Sequence, residues 1–88
     1  GIPEMVTGRA SIAQDIVHMI RESGLLTEML ANRDPMKRKS CLIKISIAVD
    51  DDERIIPGTT EISESEPGVY WLTAQTELYG ALSLALEA

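Results

Sequence analysis

The sequence predicts an α+β domain in which two or three helices pack on one face of a small, mainly antiparallel sheet. Two patterns carry that prediction. Residues 8–24 read as an amphipathic helix with its own start and stop signals, and the chain after Ile55 alternates in short runs punctuated by turn residues. Length supplies a third constraint, since 88 residues make one domain (1–88) with room for a single core.

Ile2 to Val6 is extended in character, and Pro3 restrains it to an edge or loop. In the first helix, Ile12, Ile16, Met19 and Ile20 form one stripe at i, i+4, i+7 and i+8, widened by Ala13 and Val17. Ser11 with Gln14 has the form of a capping box, and Thr7 is a competing start one turn earlier. Arg21 suits the negative end of the backbone dipole, and Gly24 closes the helix. Leu25, Leu26, Met29 and Leu30 give a short second helix that folds back. Asn32-Arg33-Asp34-Pro35 then breaks the pattern.

From Met36 to Asp52 the signals conflict. Cys41, Ile43, Ile45, Ile47 and Val49 recur with a period of two, which reads as a strand. Against it, Asp34-Pro35 is a good helix opening, and Leu42, Ile45 and Val49, with Cys41 and Ala48, would share a helical face. Charge opposes the helix. Lys37, Arg38 and Lys39 would crowd its positive end, and Asp50, Asp51 and Asp52 its negative end. Taken locally, the pattern favours the strand.

Thr59 to Ser63 is a short strand, followed by a polar turn from Glu64 to Gly68. Val69 to Thr76 is rich in aromatic and β-branched residues, with Val69, Trp71 and Thr73 on one face and Tyr70, Leu72 and Ala74 on the other. Glu77 to Gly80 connects to a last strand, Ala81 to Glu87, whose leucines 82, 84 and 86 lie opposite the small Ala81, Ser83 and Ala85. An outer strand with two rather apolar faces invites pairing with another chain.

A net charge of −6 argues against nucleic acid or an anionic membrane as partner, because both need a concentrated positive field. No apolar run approaches the roughly 20 residues of a membrane span. The single cysteine fits a compartment where disulfides are not formed. Asp50-Asp51-Asp52-Glu53 lacks the alternation and glycine of a calcium loop and reads as a solvated acidic corner. His18 reads as a helix-flank residue, Cys41 as a buried thiol, and Lys37, Arg38 and Lys39 as a solvated face. Glu61, Glu64 and Glu66 are spread through a strand and turn, and paired-carboxylate catalysis needs a cleft that so small a chain would struggle to enclose. With no phosphate loop, dinucleotide fingerprint, zinc pattern or nucleophile elbow, the sequence leads us to expect no enzyme, no metal and no cofactor.

Two segments carry a resemblance. Val6, Gly8 and Arg9 followed by Ile12-Ala13-Gln14-Asp15-Ile16, and later Asp52-Glu53-Arg54-Ile55, resemble the small baseplate wedge proteins of contractile phage tails. That is the sheath-initiator (lysozyme-like W protein) family, with relatives in type VI secretion systems. In it, a strand ending in V-x-G-R leads into a helix with an apolar-Ala-Gln run, and a Glu-Pro-Arg signature closes the second long helix. The proline of that signature is absent here. The resemblance implies a helix from about Pro35 to Asp51, an extra strand upstream of Gly1, and Glu53 and Arg54 as partner-binding residues. It implies a structural role in a phage or prophage tail, assembled in the bacterial cytoplasm, with other baseplate proteins as partners; the two apolar faces of the last strand add self-association through that strand as a further mode. The alternative is a non-catalytic adaptor that binds a host protein through the same edge.

Overall fold

The computed structural model describes residues 8–86. Three helices, α1 (Gly8–Ser23), α2 (Leu25–Ala31) and α3 (Pro35–Asp50), precede three strands, β1 (Glu61–Glu66), β2 (Val69–Thr76) and β3 (Gly80–Leu86). The strands form an antiparallel sheet in the order β1-β2-β3. All three helices cover one of its faces. The predicted α+β architecture is therefore the one the chain adopts.

The core follows the sequence periods. Ile12, Ile16 and Ile20 of α1, Leu26 and Met29 of α2, and Cys41, Ile45 and Val49 of α3 bury against Tyr70, Leu72 and Ala74 of β2 and Leu82, Leu84 and Leu86 of β3. Ile55 joins them from the connection between α3 and β1. Each strand residue that points the other way is at least partly exposed, so the second face of the sheet stands open.

Residues 36–50 are helical, which corrects the locally favoured strand and agrees with what the family resemblance implied. The period of two is real but has another origin. Cys41, Ile45 and Val49 lie at i, i+4 and i+8 and face the core, while Ile43 and Ile47 occupy the opposite side and are exposed. Two helical faces interleaved along the chain mimic the alternation of one strand. The helix start settles the matter locally: the Asp34 carboxylate accepts a hydrogen bond from the Met36 N–H at 2.9 Å, with Pro35 in the first turn. Arg38, expected on a solvated face, is half-buried, and its Nε donates to the Asn32 carbonyl at 2.6 Å beyond the end of α2. That bond turns one misplaced cation into a link between consecutive helices.

Other boundaries move slightly. Helix α1 starts at Gly8, as the reading of residues 8–24 has it, so Ser11 lies within the helix and is not its cap. Strand β1 runs to Glu66, taking in residues read as turn, and the reversal narrows to Pro67-Gly68, where Gly68 has φ 83°. The extended reading of Ile2 to Val6 lies outside the described residues, as does Glu87. Among the described residues no helix is long and apolar enough to cross a membrane.

Candidate interaction site

The junction after α3 brings together residues from distant parts of the chain. Asp52 caps the turn by accepting from the Arg54 N–H at 2.8 Å. The Arg54 guanidinium then folds back on the same carboxylate, Nε donating to Oδ1 at 3.0 Å and Nη2 to Oδ2 at 2.7 Å. Its remaining branch reaches α1, where Nη1 donates to Asp15 Oδ2 at 2.9 Å. Arg54 is thus engaged within the chain, tying the junction to the first helix. Glu53, its predicted companion, is exposed on the rim.

The Arg54 guanidinium holds the Asp52 carboxyl below its ordinary value near 3.8, chiefly through the side-chain hydrogen bond, against a smaller opposing push from burial. A carboxyl depressed in the folded state contributes stability that is present above the unfolded value and is lost as pH falls through the folded one. Arg54→Met should therefore cost about 1 kcal/mol at neutral pH, a figure already discounted for solvent screening of a partly exposed pair. The gap between wild type and variant should close as urea titrations move below about pH 4.

Backbone bonds fasten this junction to the β2–β3 hairpin. Glu77 N–H donates to the Arg54 carbonyl at 2.9 Å, Ile56 N–H to the Gln75 carbonyl at 2.8 Å, and Ile55 bridges Thr76. Buried Thr76 organises the turn beyond, its hydroxyl donating to the Gly80 carbonyl and accepting from the Tyr79 N–H, both at 2.8 Å. That latch leaves Leu78 82% exposed at the tip. The Tyr79 ring lies against Gly8, where an added Cβ would come within 3.3 Å of it. Ile12, Glu53, Arg54, Glu77, Leu78 and Tyr79 line a shallow, mostly apolar dent of about 140 Å³.

The open sheet face is the second surface. Trp71, 42% exposed, sits mid-face with Ser63 as its neighbour on β1 and Ala85 on β3. Thr73, between Glu61 and Ser83, and Gln75 beside Ala81 continue the face, whose small residues lie towards β3. The Arg9 guanidinium takes up the Ala81 carbonyl at 3.0 Å, so α1 tethers the start of the outer strand β3.

The acidic corner does not converge. Asp50 accepts from the Thr60 hydroxyl at 2.5 Å, Asp52 holds Arg54, and Asp51 and Glu53 face solvent. Among the described residues, no group of three or more His, Cys, Asp and Glu side chains is placed to hold a metal ion. His18 pairs with Glu22 one turn along α1, and Cys41 is buried and free. Sequence reasoning missed the Asp15–Arg54 link and the Thr76 latch. A threonine closing a strand just before a turn was the one available hint of the latch.

What emerges is a small α+β domain whose exposed apolar groups gather on a sheet face, a hairpin tip and one side of a helix. The chain belongs to the family of proteins of unknown function DUF2590, which it matches over residues 1–85. It is also 42% identical over 80 residues to an "uncharacterized 12.7 kDa protein in lys 3'region" of Haemophilus phage HP1, an alignment spanning 91% of this chain and 72% of that protein. The chain is thus related to a phage-encoded protein. No solved structure matches it.

Proposed function

We propose that this protein is a structural component of a phage or prophage tail baseplate and works by contact, with the open sheet face as its docking surface. The observation that carries the contact reading is Trp71: a large aromatic, part-exposed, standing on a floor of Ser63, Ala85, Ser83 and Thr73. Aromatic anchors on a flat surface of small residues are where binding energy concentrates.

The placement in a tail rests on other support. The relative in phage HP1 supports a phage setting. The resemblance at Gly8-Arg9, at Ile12 to Ile16 and at Asp52 to Ile55 points to the assembly; it implies a helix from about Pro35 to Asp51 ahead of a strand, and α3 runs Pro35–Asp50 with β1 following it. In this reading the partners are neighbouring baseplate subunits, the site of assembly is the bacterial cytoplasm, and no substrate is turned over.

Deleting the gene from its phage or prophage tests the proposal, with electron microscopy of the lysates and complementation from a plasmid. Incomplete tails without infectivity are expected from the deletion. Complementation by Trp71→Ala should fall about 100-fold or more, the size of a lost interface anchor, while the purified variant stays folded. Fully tailed, infectious particles from the deletion strain would overturn the reading.

A further inference from the structure

Helix α3 has a second apolar stripe that the monomer does not use. Met36, Ile43 and Ile47 are 75%, 51% and 63% exposed and, with Ser40, recur at i, i+4, i+7 and i+11 on the side away from buried Cys41, Ile45 and Val49. The charges on the same helix are reversed with respect to its dipole. Lys37, Arg38 and Lys39 stand at the positive end and Asp50 and Asp51 at the negative end, an arrangement that costs a helix stability when it stands alone. Among the described residues, the ion pairs are His18–Glu22, Arg54–Asp15 and Arg54–Asp52, so none neutralises Lys37, Lys39 or Asp51.

One arrangement answers both features. We propose that the outer face of α3 is a self-association surface on which a second copy of this chain lays its own α3 antiparallel. Reversal sets the basic end of each helix beside the acidic end of the other, so Lys37 and Asp51, which flank the stripe, acquire opposite neighbours. The stripe matches itself under the same two-fold axis. When Ile43 lies against Ile47 of the second copy, Ile47 lies against Ile43, and the same register sets Lys37 beside Asp51 of the second copy, both on the same flank of the stripe. An isologous contact of this kind closes at two copies. It is separate from the Trp71 face, so a dimer keeps two sheet faces free for other partners.

Sedimentation equilibrium of the purified chain tests the proposal. A monomer–dimer equilibrium is expected, weakening as salt screens the charged ends. Ile47→Glu should abolish the dimer. Glutamate is the better helix former, so the variant should keep its circular dichroism spectrum and its melting temperature. Lys37→Glu should weaken association by about tenfold or more, since it sets like charges side by side. Adding Asp51→Lys to Lys37→Glu should restore it, as the antiparallel register brings those two positions together. Trp71→Ala should leave the dimer intact, which keeps this test distinct from that of the tail reading. A wild-type protein monomeric up to about 1 mM, where even weak specific association would show, overturns the proposal. So does a dimer that survives Ile47→Glu, or a double variant that stays monomeric.

Discussion

Ile45→Asp should unfold the protein, whereas the same substitution two residues earlier, Ile43→Asp, should leave it folded. Ile45 is fully buried among the core residues of all three helices and the sheet. A carboxylate there is taken out of water without a partner, at an effective penalty of several kcal/mol. Domains of this size have roughly 5–15 kcal/mol of stability in total, so the folded population should collapse. Ile43 is half-exposed, and a charge there stays hydrated, so the cost should remain near 1 kcal/mol. Far-UV circular dichroism and a urea titration of each variant give the answer. The contrast distinguishes the helix from the strand that the local pattern favours. In a strand the two positions share a face and must behave alike.

Thr76→Val carries the second large effect. The two side chains have nearly the same shape, so packing against β3 is kept and the hydroxyl alone is removed. Its loss strands two backbone groups, the Tyr79 N–H and the Gly80 carbonyl, each now held at 2.8 Å. An unmet hydrogen-bonding group costs roughly 1–3 kcal/mol where water cannot reach it, and the tip is partly open, so a total of about 2 kcal/mol is expected. For a domain this small that lowers the melting temperature by roughly 8–16 °C. Thr76→Ser, which keeps the hydroxyl, should recover most of the loss. Equal melting temperatures for the valine and serine variants would mean that the latch contributes little.

The elements that were legible in the sequence are those in which one physical signal acts alone. Helix α1 has a single stripe, and α2 a single short one. Strand β2 alternates cleanly, and its buried set of Tyr70, Leu72 and Ala74 is one of the two faces read from the pattern. Helix α3 was ambiguous because it serves two apolar faces at once, and a scan for periodicity cannot separate two stripes on opposite sides of a helix from one face of a strand. The charges at its ends pointed the same wrong way. They oppose an isolated helix, but Arg38 is drawn into the α2–α3 turn and the buried stripe supplies more than the ends cost.

The candidate site was legible only in part. Glu53 and Arg54 were marked by resemblance, and the structure uses Arg54 to join Asp52 to Asp15, residues 37 positions apart in the chain. No local pattern announces such a bond, because its partner lies on the polar flank of a helix where any charged residue would serve. Trp71 was placed on the correct strand, and its exposure follows from a sheet covered on one side only.

The solitary thiol gives the chain a built-in clock. Cys41 is enclosed between helices and sheet and has no second thiol to pair with, so an alkylating reagent can reach it only when α3 lifts from the core. The pace of modification in native buffer therefore counts those excursions directly. The same measurement at rising concentration of the chain itself would report how firmly company holds the third helix down.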